Sequence, residues 1–278
     1  MSVIAVTGGS GKAGQAVVRD LLDHGYQVVN IDIVPPAQPL TRFRQVDLTR
    51  LDEVFEALDG VDAVVHLAAI PNPDRFTPGH IFHNNTMGCY NVFTAAMQLK
   101  LKRVVWASSE TTLGLPFDRE KPAYAPIDEH HPLYPESSYA LSKVVTEEMA
   151  RQFYRWSGIP FVGLRLSNIK NPEQYADFPS YWQDARIRKW NLWGYVDVRD
   201  VAQSCRLGLE ADIRGAEAFI IAAADTVMNR TSRDLLGEVF PEVPLRKAVG
   251  DYETLLSIDK ARQLLGYNPL YSWRDHVK

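Results

Sequence analysis

The sequence predicts an α/β fold with a doubly wound parallel sheet and a small C-terminal lobe. Short apolar runs alternate with amphipathic helical patterns along the first part of the 278-residue chain, as in consecutive βαβ units. The first run, residues 3–6, gives way to three spaced glycines and then to a helical pattern. A later run, residues 63–69, is nearly all apolar, which is typical of a strand covered on both faces of a parallel sheet. Ligands are therefore expected at the carboxyl ends of the strands.

The glycines follow the first predicted strand directly. Gly8 permits a tight turn, Gly11 lets the backbone approach a pyrophosphate, and Gly14 lets the helix pack closely on the sheet. A dinucleotide phosphate can then bind at the helix N-terminus, although an ordinary βα turn can carry the same glycines. The residues expected to hold a cofactor in this Rossmann-type turn are Gly8, Ser10, Gly11, Lys12, Ala13 and Gly14.

Two carboxylates lie at the ends of the next predicted strands, residues 27–33 and 42–48. Asp32 can accept hydrogen bonds from the adenosine ribose hydroxyls of NAD and would repel the additional phosphate of NADP. Asp47 could accept a hydrogen bond from the adenine amino group. Lys12 in the phosphate turn is compatible with either cofactor. We therefore expect NAD, with NADP disfavoured.

The composition excludes several classes of protein. A hydrophobic content of 46% and a net charge of −4 argue against a disordered chain and against a broad nucleic-acid-binding surface. Cys89 and Cys205 lie far apart, so neither a disulfide framework nor a zinc cluster is expected. The first predicted strand begins within two residues of Met1, and no apolar run approaches the roughly 20 residues of a membrane span. We expect a cytoplasmic protein that binds neither membrane nor nucleic acid.

The Tyr-x-x-x-Lys spacing of Tyr139 and Lys143 is the strongest chemical signal. On a helix, this spacing puts the phenol and the ammonium on one face, one turn apart. A phenol titrates near pH 10 and becomes an effective base at neutral pH only when a nearby cation favours the phenolate. Tyr139 is therefore the predicted general base.

The histidines do not predict a metal site. His66 is expected to be a packed strand residue, and adjacent His130 and His131 are poorly placed to chelate one ion.

Further motifs accompany this pair in a fixed order. They are Thr7-Gly8-x-x-Gly11-x-x-Gly14, Asp32, Asp47-Leu48, His66-Leu67-Ala68-Ala69 and Asn85-x-x-Gly88. Together with the Tyr139 and Lys143 pair, they resemble the extended short-chain dehydrogenases/reductases, the NAD-dependent epimerase/dehydratase group. The resemblance covers nearly the whole chain and is more specific for fold and cofactor than for substrate.

The resemblance implies roles for individual residues. The backbone of residues 67–69 would line the nicotinamide ribose, and the helix at Asn85 would support the active site. Ser109, at the end of a predicted strand, would hydrogen-bond the reacting substrate oxygen, and Lys143 would also hold the ribose. Related proteins commonly pair through the helices that begin near Asn85 and Tyr139, which implies a homodimer. The implied cofactor set adds Asp32, Asp47, Leu48, Leu67, Ala68, Ala69, Asn85, Tyr139 and Lys143.

The irregular segment after residue 166 would bind the substrate. Its layout resembles uronate dehydrogenases, in which an arginine of this segment binds the substrate carboxylate. The local motif favours Arg186 and counting along the chain favours Arg188, while either could be a solvated surface charge. Asn168 is a further substrate candidate, although it replaces a small hydroxyl residue of that subgroup. Glu110, next to Ser109, could hold a sugar hydroxyl or cap the turn.

These observations predict an NAD-binding Rossmann domain in residues 1–165, to which residues 195–222 return. A small substrate-binding lobe would comprise residues 166–194 and 223–278. Asp200 is expected to cap the helix that joins the two lobes. The predicted activity is hydride transfer between NAD and a hydroxyl of a free sugar or uronate. The alternatives are a nucleotide-sugar epimerase, which oxidises its substrate transiently, and a non-catalytic NAD(P)-sensing protein.

Overall fold

A computed structural model describes residues 2–71 and 76–276. The strands are β1 (Val3–Thr7), β2 (Gln27–Asp32), β3 (Arg42–Gln45), β4 (Ala63–His66), β5 (Arg103–Ser109), β6 (Phe161–Leu166), β7 (Ile169–Lys170), β8 (Val196–Asp197) and β9 (Ala216–Ile221). The helices are α1 (Lys12–Asp23), α2 (Leu51–Leu58), α3 (Pro78–Gln98), α4 (Ser138–Ser157), α5 (Val198–Glu210), α6 (Ser232–Val239) and α7 (Asp259–Leu265). Within this part of the chain, seven strands form one parallel sheet in the order β3-β2-β1-β4-β5-β6-β9.

Helices cover both faces of this sheet. On one face, Val17 and Leu21 of α1 and Cys205 of α5 join a large buried apolar cluster. On the other face, Phe93 of α3 and Phe153 of α4 join a second cluster, to which α2 also contributes. The doubly wound α/β fold predicted from the sequence is therefore confirmed, whereas the predicted division into two lobes stays a prediction. None of the helices in residues 2–71 and 76–276 is long and apolar enough to span a membrane.

Helix α3 is longer than the sequence motif indicates. The Asn85 motif predicts a helix from residue 85, but the helix begins at Pro78. Thr77 caps it, because the Thr77 side chain accepts a hydrogen bond from the backbone N–H of His80. Threonine before a proline is a typical helix start, so this signal was present in the sequence.

The start of α5 also differs from the expectation. Asp197, not Asp200, caps this helix, with Oδ1 accepting a hydrogen bond from the backbone N–H of Arg199 at 2.8 Å. Asp200 instead accepts hydrogen bonds from the backbone N–H groups of Leu270 and Tyr271 at 2.9 and 3.3 Å. It therefore ties the C-terminal segment to α5, a contact between residues 70 positions apart that local sequence could not reveal.

The glycine turn between β1 and α1 depends on close backbone packing. A Cβ atom on Gly14 would lie within 2.8 Å of three backbone atoms of Gly8 and Gly9. Gly8 has φ +67°, and a Cβ there would lie within 3.0 Å of the backbone of Leu67 and Ala68. The absence of these side chains lets α1 and the segment after β4 approach the turn.

Replacing Gly14 by alanine tests this packing. We expect Gly14→Ala to lower the free energy of unfolding by about 1–3 kcal/mol, because the new methyl group overpacks a contact between backbone segments. Gly237→Ala is the matched control, because Gly237 lies in α6 with open space around it. The control should gain about 0.5–1 kcal/mol from helix propensity. Chemical denaturation of the two variants would measure both changes in the free energy of unfolding. Equal stabilities of the two variants would contradict the packing argument.

Candidate active site

The described residues enclose a large cavity at the carboxyl ends of the parallel strands. Its volume is about 1370 Å³, more than the roughly 300–1,000 Å³ of ordinary small-molecule pockets. The glycine turn forms one end of the cavity, and the end of β5, the start of α4 and the segment after β6 form the other. This volume fits a dinucleotide together with a second, smaller molecule.

At the turn, all six residues predicted to hold the cofactor line the cavity: Gly8, Ser10, Gly11, Lys12, Ala13 and Gly14. The Gly8 backbone N–H donates to the Ile31 carbonyl at 2.8 Å, which fixes the turn over the end of β2. The glycines leave no side chain between the cavity and the backbone at the start of α1. The turn can therefore accept a pyrophosphate.

Lys12 makes a contact that the sequence did not predict. Its Nζ donates to the Ile169 carbonyl at 2.7 Å and to Gln174 Oε1 at 3.2 Å. The ammonium therefore joins the glycine turn to the segment after β6. Burial lowers the pKa of Lys12 from its usual value.

The predicted ribose and adenine residues lie beside the turn. Asp32, Asp47 and Leu48 all line the cavity. Asp32 Oδ2 accepts a hydrogen bond from the Ser10 backbone N–H at 3.0 Å, so the carboxylate is held against the turn. Hydrogen bonds from the Thr49 hydroxyl and backbone N–H hold the pKa of Asp47 below its usual range, so this group is ionised at neutral pH.

The segment after β4 forms the middle wall. Leu67, Ala68 and Ala69 line the cavity as predicted from the resemblance, but Asn85 does not. The Asn85 side chain is buried behind the wall, where Oδ1 accepts from the Ile70 N–H at 2.8 Å and Nδ2 donates to the Ile70 carbonyl at 3.2 Å. Asn85 is thus placed to position the wall rather than to contact a cofactor.

The three predicted catalytic residues meet at the far end of the cavity. Ser109, Tyr139 and Lys143 all line it. Lys143 Nζ lies 5.5 Å from the centroid of the Tyr139 ring and donates to the Ala107 carbonyl at 2.7 Å. Ser109 Oγ accepts hydrogen bonds from the Thr111 N–H at 3.2 Å and the Thr111 hydroxyl at 2.9 Å. These contacts leave the Ser109 hydroxyl hydrogen able to donate to a ligand oxygen.

His66 lies buried near Lys143. Burial, together with the positive charge of Lys143, lowers the pKa of His66 to about 3, so His66 is neutral. Its Nδ1 lies 2.6 Å from Thr7 Oγ1. His66 is thus the packed strand residue that the sequence predicts.

Behind these residues lies a buried ion pair, between Glu147 and Arg165, that the sequence does not predict. Glu147 lies on α4 two turns after Tyr139, and its carboxylate receives hydrogen bonds from Arg165 Nε at 2.9 Å and Nη2 at 2.8 Å. The Ser108 hydroxyl donates to Glu147 Oε1 at 2.6 Å. The side chains of Glu147 and Arg165 are 2% and 5% exposed, so the pair is fully desolvated. It fixes α4 to β5 and β6.

Glu110 is buried and does not cap the turn, which was one of its two sequence alternatives. The turn after β5 is capped by Ser109, not by Glu110. Glu110 is 3% exposed, with Oε2 accepting from the Ser167 hydroxyl at 2.6 Å and Oε1 accepting from Asn191 Nδ2 at 3.2 Å. Burial raises the pKa of Glu110 to about 7, against the opposing effect of these hydrogen bonds. It lines the cavity, as do Ser167 and Asn168.

The two candidate carboxylate-binding arginines do not line the cavity. Arg186 is 63% exposed and lies 3.6 Å from the Glu238 carboxylate, so it has the surface position that the sequence left as its alternative. Arg188 is buried, and its Nη2 donates to the Gly194 carbonyl at 3.1 Å and to Asn191 Oδ1 at 3.4 Å. Its guanidinium lies 4.7 Å from the ring centroid of Trp190, which itself lines the cavity.

Comparisons with known proteins agree with this arrangement. The model of the NAD dependent epimerase/dehydratase family matches residues 4–222. A UDP-glucose 4-epimerase of Lacticaseibacillus casei is 29% identical over 99% of this chain and 94% of its own. A uronate dehydrogenase of Pseudomonas putida is 30% identical over 61% of this chain and 62% of its own.

Solved structures share the fold. A short-chain dehydrogenase/reductase superfamily protein of Agrobacterium tumefaciens, solved with bound NAD, superimposes with a TM-score of 0.76 at 22% identity, covering 98% of this chain and 94% of that chain. A mutated uronate dehydrogenase gives a TM-score of 0.71 at 23% identity, covering 99% and 84%.

The raised pKa of Glu110 makes stability depend on pH. An unfolded glutamate loses its proton near pH 4.5, whereas folded Glu110 keeps it until about pH 7. The unfolded state therefore binds fewer protons between these values, and the free energy of unfolding falls as pH rises, by up to about 3 kcal/mol from this group. In Glu110→Gln, we expect the free energy of unfolding to fall less as pH rises, because glutamine has no proton to lose at this position. Urea denaturation at pH 5 and pH 8 measures it, and an equal decline in both proteins would contradict the burial argument.

Proposed function

Because the chain belongs to the NAD dependent epimerase/dehydratase family, we propose that it transfers a hydride between NAD and a sugar-type hydroxyl. The family is NAD dependent, so NAD is the cofactor. The observation that carries the proposal is the meeting of Ser109, Tyr139 and Lys143 at one end of a cavity whose other end is the glycine turn. The fit of the glycine turn and of Asp32 supports NAD over NADP.

When bound, NAD supplies the acceptor for a hydride that leaves the substrate carbon. Tyr139, as the phenolate, accepts the proton of the substrate hydroxyl. The ammonium of Lys143 lies 5.5 Å from the centroid of the phenol ring, one turn further along α4. The Ser109 hydroxyl donates a hydrogen bond to the reacting oxygen and thereby orients it. The same residues can return the proton when a ketone is reduced.

The cations of the cavity favour a free sugar over a nucleotide sugar. Among the described lining residues, the lysines are Lys12 and Lys143, and both serve the cofactor. A nucleotide-sugar substrate brings a diphosphate, for which the substrate end offers no lysine or arginine besides Lys143 among these residues. We therefore propose that a free sugar is oxidised, with residues 166–194 and 223–278 forming the substrate lobe.

Epimerisation of a nucleotide sugar is the second candidate. It is favoured by the UDP-glucose 4-epimerase of L. casei, which matches 99% of this chain. That alignment spans 318 positions against a chain of 278 residues, so the relative carries residues with no counterpart here.

A sensing protein without catalysis has no need of a general base. The presence of Tyr139 beside Lys143 therefore argues against the sensing alternative.

A homodimer through α3 and α4 is also part of the proposal. Tyr90 on α3 and Trp156 on α4 are 41% and 55% exposed. They border one apolar groove between the two helices. A second copy would remove these side chains from water.

The activity can be tested with a panel of free sugars, uronates and nucleotide sugars in the presence of NAD. We expect NADH to accumulate in proportion to a consumed free sugar. Interconversion of nucleotide-sugar isomers without net NADH would instead establish the epimerase. Bound NAD with no turnover of any substrate would contradict both.

The role of Tyr139 is tested by Tyr139→Phe, which removes only the phenol oxygen. We expect kcat to fall by about 10²–10⁴, because the variant lacks the general base. NAD binding, followed by fluorescence titration, should change little. Leu141→Met is a control on an exposed position of the same helix, and it should keep wild-type activity. Full turnover by the phenylalanine variant would show that another group is the base.

A further inference from the structure

The substrate end of the cavity presents oxygen atoms that accept hydrogen bonds. Glu110 and Asn168 both line it. Asn168 Oδ1 is buried and has no hydrogen-bond partner among the described residues. A buried amide oxygen without a donor is costly, so this atom indicates a ligand that supplies a donor. A sugar hydroxyl can donate to both groups, whereas a carboxylate or phosphate anion can only accept.

Arg188, a buried arginine of the segment after β6, donates its hydrogen bonds inside the protein. Asn191 links Arg188 to Glu110, because its Oδ1 accepts from Arg188 Nη2 at 3.4 Å and its Nδ2 donates to Glu110 Oε1 at 3.2 Å. The guanidinium is further held between the rings of Trp190 and Tyr181, at 4.7 and 5.2 Å from their centroids. Arg188 does not line the cavity, and neither does the other buried cation of this segment, Lys170.

We propose that Glu110 is a specificity-determining residue, which makes this site select neutral, hydroxyl-bearing substrates and reject those with a carboxylate or phosphate at this end. The proposal rests on the proposed function, since it names the substrate class of the same cavity. At pH 8, above its pKa of about 7, Glu110 is mostly ionised and lies close to the charge of Arg188. An anion beside the ionised carboxylate would face a like charge in a site with little water to screen it.

The expected preference for the neutral sugar follows from the one group in which the two ligand classes differ. A hexose and the hexuronate of the same configuration differ only in having a hydroxymethyl group or a carboxylate at C6. In the wild-type site, the carboxylate would lie against the acceptors of Glu110 and Asn168, and like charges in contact are strongly unfavourable. The neutral sugar should therefore be preferred by about tenfold or more.

The experiment uses two matched pairs, galactose with galacturonate and glucose with glucuronate. Both measurements are made at pH 8, where Glu110 is mostly ionised. Binding to the NADH complex of the wild-type protein is measured by the ligand-induced shift in melting temperature, and kcat/KM is measured with NAD. We expect the neutral member of a pair to give the larger shift and the larger kcat/KM. A preference for the acid, an equal response to both, or no response to any of the sugars would overturn the proposal.

Glu110→Gln tests the residue itself, because glutamine keeps the size of the side chain and removes its charge. We expect the preference for the neutral sugar to shrink by about tenfold, mainly through better binding of the acid. Glu56→Gln, an exposed position on α2, is the matched control and should keep the wild-type preference. An unchanged preference in a folded Glu110→Gln protein would overturn the role of Glu110. If the variant does not fold, the wild-type comparison still decides the substrate class.

The two proposals fail in different ways. If neutral sugars bind selectively but no NADH forms with any of them, the proposed oxidation is wrong and the selectivity holds. If NADH forms best with a hexuronate, the oxidation holds and the selectivity is wrong.

Discussion

The buried ion pair between Glu147 and Arg165 is the interaction on which the geometry of the site depends. Each carboxylate oxygen of Glu147 receives one hydrogen bond from the Arg165 guanidinium, and Ser108 adds a third bond. Since both charges are desolvated, removing one partner would leave the other buried and uncompensated, at a cost of about 3–5 kcal/mol. The pair fixes α4 against β5 and β6. Tyr139 lies two turns and Lys143 one turn before Glu147 on the same helix face, so their position over the cavity depends on it.

The site was predictable where its signals are local in sequence. The spacing of Gly8, Gly11 and Gly14 gives the phosphate turn, and the four-residue spacing of Tyr139 and Lys143 gives one helix face. Each of these residues lines the cavity. The alternation of apolar runs and helical patterns was sufficient for the doubly wound sheet, because burial on two faces leaves a clear pattern in each strand.

The remaining features of the site depend on contacts between distant residues. Glu147 continues the four-residue spacing of Tyr139 and Lys143, but its partner Arg165 lies on another element. Asn191 and Glu110 are 81 positions apart, and no local pattern shows that Arg188 is enclosed behind them. The sequence could name two arginines for a substrate carboxylate, but only the packing of the segment after β6 shows that neither lines the cavity.

The two ends of the cavity differ in the groups that they present. Lys12 links them directly, since its ammonium contacts Ile169 and Gln174 in the segment that also carries Asn168. The cofactor end carries the glycine turn and two carboxylates, while the substrate end carries Ser109, Tyr139 and Lys143 beside Glu110.

The most direct test of hydride transfer follows a carbon-deuterated hexose in a single turnover with NAD, with the quenched cofactor measured by mass spectrometry. Our proposal predicts deuterium on the reduced nicotinamide. Cofactor that stays oxidised, or sugar that changes without transferring deuterium, would contradict it.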